Sequence, residues 1–304
     1  MRAVLHNSNK TLRAQQLGDT FKIGGDLTVR RLGFGAMSLV GPNVYGEPAD
    51  PANSLAVLRL AVELGVNLID TAEAYGPAIN ERQVAEALAP YPADLVLATK
   101  CGIDRRALDW AETRNKGSRA QIRASCEGGL RRLKVERIDL YQLHRVDPNI
   151  PIEESIGALA ELRSEGKVRH IGVSEVDVDQ LKRARAVATI ATVQNRYNVA
   201  DRKHEAVLEH CEAQAIGFIP WYPLGSGSLC ASDGPLQPIA SRLGVTAAQV
   251  ALAWLLARSP VILPIPGTKS IGHLQENAKA AALRLSTKDL ADLNLLAKII
   301  GHDA

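Results

Sequence analysis

Four residues of this sequence have side chains that move protons, and three of them stand where short apolar runs end. Asp70 closes Val66-Asn67-Leu68-Ile69-Asp70, Lys100 follows the run Leu95 to Thr99, and His144 follows Ile138 to Leu143. Tyr75 lies in the segment just after Asp70. Taken singly, each has an ordinary reading: a turn-forming Asp, a packed Tyr, a solvated Lys, a His satisfying a local bond. Brought together they form a proton-transfer set. A phenol has a reference pKa of about 10. A nearby ammonium lowers that value, and a carboxylate keeps the ammonium charged and in place. Tyr75 would then serve as a general acid toward a carbonyl oxygen. His144 would orient the carbonyl through a hydrogen bond or, if protonated, stabilise the oxyanion. None of these groups supplies reducing equivalents, so a hydride donor must bind nearby.

The elements needed to position them follow a simple order. Phe21 to Val29, with Gly24-Gly25-Asp26 in the middle, reads as a hairpin. Short apolar strands are expected at Leu32–Met37, Val66–Asp70, Leu95–Thr99, Ile138–Leu143, Val168–Val173, Thr192–Gln194, Gly217–Pro220 and Val261–Pro264. Helical periods fall between them at Asn53–Leu64 (with Asn53 or Ser54 as N-cap), Glu81–Leu88, Arg119–Leu133, Ile152–Ser164, Val178–Arg185, His204–Gln214, Thr246–Leu256 and Ile271–Ala280. A further helix, Thr287–Ile299, lies beyond the repeat. Continuously apolar strands belong to parallel sheets buried on both faces. Eight βα units favour a (β/α)8 TIM barrel over an open sheet, as does the missing Gly-x-Gly-x-x-Gly fingerprint. The expectation is an α/β barrel forming one domain over residues 1–304. It includes an irregular extension over about residues 1–20, the hairpin and the extra C-terminal helix. In such a barrel, strand ends gather at the C-terminal mouth, where chemistry occurs.

Bulk properties exclude several classes of function. A net charge of +3 with scattered basic pairs (Arg30-Arg31, Arg105-Arg106, Arg131-Arg132) and 4% aromatic residues offers no platform for nucleic acid. The four cysteines form no CxxC pair and the seven histidines lack ligand spacing, so neither disulfides nor a metal is expected. Met1 to Lys10 has no apolar leader core, and the longest apolar stretch, Ala247 to Ala257, is too short to span a bilayer. A soluble, cytoplasmic protein, monomeric or weakly self-associating, is the expectation.

The residues resemble the aldo-keto reductase superfamily over about Val29 to Ala280. The segments carrying the resemblance are Asp70-Thr71-Ala72-Glu73-Ala74-Tyr75-Gly76 with Asn80-Glu81, Lys100 after Leu97-Ala98-Thr99, and Asp139-Leu140-Tyr141-Gln142-Leu143-His144. The resemblance implies NADPH-dependent reduction of aldehydes and ketones, with NADH possible and a small carbonyl compound as partner. It implies a catalytic set of Asp70, Tyr75, Lys100 and His144. The carboxamide of the cofactor would meet Ser174 and Gln194, and Trp221 would stack on its nicotinamide. Glu175 stands where the family often has Asn. Gly35, Met37, Asp70, Pro223 and Leu224 complete the implied wall near the nicotinamide. Gly225, Ser226, Gly227 and Ser228 form a donor-rich loop suited to a pyrophosphate. Gly267, Thr268, Lys269 and Ser270 open a helix suited to an adenosine 2′-phosphate. Glu276 and Asn277 match the adenine end, and His273 stands where many relatives have Arg. Substrate contacts fall to Tyr75 and His144 and to three variable loops, Met37–Tyr45, Gly102–Gly117 with Trp110, and Leu229–Pro238. Trp110 either walls the pocket or packs its own loop.

Two rivals remain. One is a non-catalytic NADP(H)-binding sensor or regulatory subunit of the same fold, which an intact set of four argues against. The other is a barrel lyase using Lys100 as a Schiff base, which requires a neutral lysine.

Overall fold

The computed structural model describes residues 19–105 and 107–300, with side chains to residue 296. The expected extension thus lies outside the described residues except for its last two positions, as does Arg106. The hairpin pairs β1 (Thr20–Ile23) with β2 (Leu27–Arg30), Thr20 opposite Arg30 and Ile23 opposite Leu27. Gly24 and Gly25 turn the chain at φ 62° and 88°, and a Cβ on Gly24 would strike the His170 ring at 2.1 Å. Asn67 fastens the hairpin from below, accepting from Arg30 N at 2.8 Å and donating to Thr28 O at 3.0 Å.

Strands and helices then alternate. In chain order they are β3 (Phe34–Gly35), α1 (Pro51–Glu63), β4 (Leu68–Asp70), α2 (Ile79–Leu88) and β5 (Val96–Cys101). A small hairpin, β6 (Ile103–Asp104) with β7 (Arg114–Asn115), precedes α3 (Arg119–Leu133), β8 (Ile138–Leu143) and α4 (Ile152–Ser164). Next come β9 (Val168–Ser174), α5 (Val178–Val187), β10 (Ile190–Gln194), α6 (Glu205–Ala213) and β11 (Gly217–Phe218). The last elements are α7 (Gln237–Leu243), α8 (Ala247–Arg258), α9 (Ile271–Lys279) and α10 (Thr287–Ile300). The strands pair in parallel in the order β11-β10-β9-β8-β5-β4-β3. Residues 261–264 close the barrel. Phe218 N donates to Val261 O and Leu263 N to Phe218 O, both at 2.8 Å, while Gly33 N donates to Pro264 O at 2.9 Å. The fold is the expected (β/α)8 barrel.

Several boundaries differ from expectation for local reasons. The strand expected over Val261–Pro264 is reduced to a bridge from Ile262 to Phe218, because Pro264 has no N–H for the ladder. The strand expected over Leu32–Met37 shortens to Phe34–Gly35, the chain winding into a single turn at Ala36–Leu39. Helix α1 is capped by Asp50, which accepts from Asn53 N at 3.0 Å, with Pro51 in the first turn; neither Asn53 nor Ser54 is the cap. Helix α7 lies partly in a segment expected to be loop, since Pro238 falls in its first turn, where proline is tolerated. Where a cap was strong, as at Ser118 with Gln121 before α3, the boundary fell as expected. Helix α8 is apolar almost all round and buried. No single helix among the described residues is long and apolar enough to cross a membrane.

Strand alternation divides the core. Outward residues such as Ile69, Leu97, Tyr141, Val173 and Phe218 pack beneath the helices. Inward residues Leu68, Val96, Ala98, Leu140, Ile219 and Leu263 meet Ile23, Leu27 and Val29 of the hairpin, which plugs the foot of the barrel. Along each strand the same parity continues to the mouth. Asp70 follows Leu68 by two residues, Lys100 follows Ala98, and Gln142 and then His144 follow Leu140.

Closure leans on buried Arg31. Its Nε donates to Ile262 O at 3.1 Å, and Nη2 donates to Leu256 O at 2.8 Å and Ser259 O at 2.5 Å. Arg31→Met is expected to lose roughly 2–4 kcal/mol of stability by urea unfolding, since three buried carbonyls lose a charged donor. A loss below about 0.5 kcal/mol would show that closure does not depend on this guanidinium.

Candidate active site

Lys100 occupies the centre of the mouth and is fully buried. Its Nζ donates to Asp70 Oδ1 in a short ion pair, to Thr71 O at 3.0 Å and to the Tyr75 hydroxyl at 3.2 Å. The other Asp70 oxygen, Oδ2, accepts from Gln194 Nε2 at 2.9 Å and from Gln142 Nε2 at 3.2 Å. A buried charge survives only when paired and hydrogen-bonded, and this carboxylate is paired on both oxygens. The His144 ring stands edge-on to Tyr75, with ring centroids 5.8 Å apart. The structure therefore brings Asp70, Tyr75, Lys100 and His144 together.

The loop carrying Tyr75 is braced from behind. Thr71 Oγ1 bonds Asn80 Oδ1 at 2.7 Å, and Asn80 Nδ2 donates to Ala36 O at 3.0 Å. Buried Glu81 accepts from Thr99 Oγ1 at 2.7 Å and Arg132 Nε at 2.6 Å, and Arg132 reaches Glu73 at 3.4 Å. This brace joins the loop to β5 one residue before Lys100.

Burial changes the protonation expected from pairwise charges. It raises the Tyr75 pKa above the ordinary phenol value, and the opposing pull of Lys100 only offsets part of that. The expected net lowering is therefore corrected: without charge developing on a bound carbonyl, Tyr75 is a phenol holding its proton. Burial also disfavours the Lys100 charge, but Asp70 and Tyr75 together hold its pKa above the ordinary lysine value. A charged Lys100 is unsuited to Schiff-base formation. Burial, then Lys100 and Arg145, push His144 well below the ordinary histidine value. This shift favours a neutral imidazole and so, of the two roles expected for His144, the hydrogen-bonding one.

A cleft of about 1140 Å³ opens over this set. Its wall includes Gly35, Met37, Asp70, Tyr75, Trp110, His144, Ser174, Gln194, Trp221, Pro223, Leu224, Ser226, Gly267, Thr268, His273, Glu276 and Asn277. Four residues of the expected cofactor segments, Gly225, Ser228, Lys269 and Ser270, are not on it. Ser228 turns its hydroxyl onto Gly225 O at 2.7 Å, and Lys269 is exposed with its carbonyl held by Asn53 Nδ2 at 2.8 Å. At the rim, Gly35 and Gly267 pass so closely that a Cβ on Gly267 would lie 2.5 Å from Gly35 O. Ser270 caps α9 through His273 N at 3.3 Å, and Thr268 Oγ1 accepts from Ser270 N at 3.0 Å.

Glu175, at the position where the resemblance often has Asn, does not line the cleft. With φ at 54°, its Oε1 accepts from Trp221 Nε1 at 2.6 Å and from Arg196 N at 2.8 Å. It fixes the indole plane. Trp110 both lines the cleft and packs its loop, with the Arg105 guanidinium 3.8 Å from its ring centroid. Three residues without an expected role also reach the site: Gln142 beneath Asp70, Arg145 on the wall and Thr246 at the far end, while Ser38 and Gln237 line it from the expected loops Met37–Tyr45 and Leu229–Pro238. Strand parity two residues before His144 would have found Gln142; no sequence signal marked Arg145 or Thr246.

A barrel with a proton-moving set at its C-terminal mouth defines an enzyme scaffold, and similarity makes the class specific. The model of the Aldo/keto reductase family matches residues 31–298. An uncharacterized oxidoreductase of Schizosaccharomyces pombe is 43% identical over 94% of this chain and 92% of its own. Pyridoxine 4-dehydrogenase of Escherichia coli is 43% identical over 91% and 97%. Among solved structures, an aldo-keto reductase from Klebsiella pneumoniae in complex with NADPH superposes with a TM-score of 0.79 at 29% identity, covering 92% of this chain and 95% of that one. The glycerol dehydrogenase of Gluconobacter oxydans gives 0.82 at 27% identity, covering 93% and 96%. The chain belongs to the aldo/keto reductase family and is an oxidoreductase.

Neutral His144 carries a pH signature. The unfolded imidazole takes a proton below about 6.5 while the buried one resists it, so stability falls as pH drops through that value and is unaffected above it. In urea unfolding from about pH 8 to 5, wild type is expected to lose stability relative to His144→Gln only on the acid side. A pH-independent difference would mean that His144 titrates normally.

Proposed function

We propose that this protein reduces aldehyde and ketone carbonyls with NADPH, Tyr75 delivering the proton. The observation that carries this reading is the hydrogen bond from charged Lys100 Nζ to the Tyr75 hydroxyl, 3.2 Å long, beneath a cleft that Tyr75 and His144 both line. Neutral His144 donates to or orients the carbonyl oxygen beside Tyr75. As negative charge builds on that oxygen, Tyr75 gives up its proton, and the adjacent ammonium stabilises the phenolate left behind. Asp70, held by Lys100, Gln142 and Gln194, keeps the ammonium in place through the proton transfer.

The wall suits the nucleotide. Ser38 Oγ is buried on the cleft with no partner among the described residues. The cleft also runs from Trp221 to Asn277, passing the left-handed Ser226-Gly227 turn. Ser174 and Gln194 would hold the carboxamide end and Trp221 the ring. Ser226, Gly267, Thr268 and His273 would hold the phosphates, and Glu276 with Asn277 the adenine. Bound there, NADPH would supply the hydride that the carbonyl carbon receives. NADPH is favoured by the Thr268–His273 corner and by the NADPH complex of the Klebsiella relative. NADH is the competitor to measure against it.

The reading extends to one domain for the whole chain and to a cytoplasmic setting, which four cysteines without a paired motif support. Kinship with pyridoxine 4-dehydrogenase puts pyridoxal first in a carbonyl panel. In that panel, Tyr75→Phe is expected to lower kcat by about 100-fold or more while NADPH, followed by fluorescence quenching, binds within about twofold of wild type. Unchanged turnover would sink the proton-donor assignment; failure of the wild-type protein to oxidise NADPH with any carbonyl would sink the reading.

A further inference from the structure

Arg145 is not used by the chemistry above, yet it stands beside it. It follows His144 directly and lines the same cleft as Tyr75, and it is the one Lys or Arg on that wall among the described residues. Its Nη1 donates to His144 O at 2.7 Å and to Ser174 Oγ at 3.3 Å, which fixes the guanidinium across the ends of β8 and β9. Its carbon centre lies 5.8 Å from the Trp221 ring centroid. A guanidinium has five N–H donors in a rigid fork. Here Nε and Nη2 make no bond to the described residues and are not sealed in the interior.

A half-buried cation normally has a carboxylate partner. Arg145 makes no ion pair with the described residues. The carboxylate that most favours its charge, Glu175, is already committed through Oε1 to Trp221 Nε1 and Arg196 N. The guanidinium therefore faces the cleft as a preorganised, incompletely used anion receptor next to the groups that would bind the carbonyl oxygen.

Resting on the carbonyl-reductase reading, we infer that Arg145 selects carbonyl substrates that carry an oxyanion beside the reacting carbonyl. The carbonyl oxygen is taken by Tyr75 and His144, and the neighbouring oxyanion by the free edge of Arg145. An aromatic aldehyde with an ortho phenolate is the simplest compound of this kind, its two oxygens borne on neighbouring carbons of one rigid frame.

The test compares pyridine-4-carboxaldehyde with 3-hydroxypyridine-4-carboxaldehyde, which differ by the neighbouring oxygen, in NADPH-dependent reduction. Wild type is expected to favour the hydroxylated aldehyde in kcat/KM, mainly through KM. In Arg145→Gln the ratio of the two kcat/KM values is expected to fall about tenfold or more, as when one charge-assisted fork contact is lost. Arg145→Lys should recover part of the ratio, because charge returns without the fork. NADPH affinity, followed by fluorescence, reports any role in cofactor binding. An equal loss on both aldehydes, or a loss that follows NADPH affinity, overturns the inference and leaves the reductase reading standing. Wild type that reduces neither aldehyde, nor any other carbonyl, overturns that reading and this inference with it.

Discussion

The structure depends on a buried ion pair that had to be satisfied completely. Lys100 and Asp70 sit inside a parallel barrel, where an unpaired charge is untenable. Three other parts of the mouth contribute to satisfying them: Gln142 from β8, Gln194 from β10, and the Thr71 carbonyl just past β4. Below this polar layer the same inward positions are apolar and sealed by the N-terminal hairpin. The pair therefore faces the cleft only at its upper side, where Asp70 and Tyr75 line the wall. That arrangement sets the Tyr75 hydroxyl between the buried ammonium and the cleft.

The wall around this layer is rigid in places where it is also conformationally costly. Glu175, Tyr222 and Ser226 all take left-handed backbone angles, at φ 54°, 66° and 52°. Such angles cost free energy in non-glycine residues and persist where the surroundings over-determine them. The constraint on Glu175 is visible: its carboxylate fixes the Trp221 indole, whose centroid lies 5.8 Å from the Arg145 and 5.9 Å from the Arg196 guanidinium carbon. On the opposite rim neither Gly267 nor Gly35 tolerates a side chain, the first against Gly35 O and the second against Ile265 O. A long cleft with fixed walls favours a preformed binding site over one shaped by its ligand.

Much of this was legible in the amino-acid order, because local physics decides it. Apolar runs separated by helical periods specify parallel strands and covering helices, and capping boxes such as Ser118-Gln121 fix where helices begin. Parity within a strand then determines that Asp70, Lys100 and His144 share the barrel interior. Errors fell where a residue's role depended on position within an element. Pro264 thinned the closing strand, and Pro238 opened a helix where a loop was expected. Asp50 capped a helix expected to begin later.

What the sequence could not decide were quantities set by surroundings distant along the chain. Burial, contributed by every neighbouring strand and loop, outweighed Lys100 at Tyr75 and made His144 neutral. The placements of Ser228 and Lys269 off the wall, and of Arg145 on it, follow from backbone direction at loop ends, which residue type does not encode. The sequence by itself determined which chemistry the mouth could hold, since side-chain type and strand period are local. Tertiary structure alone decided the protonation states and the unspent cation, because desolvation and charge act through space between residues far apart in the chain.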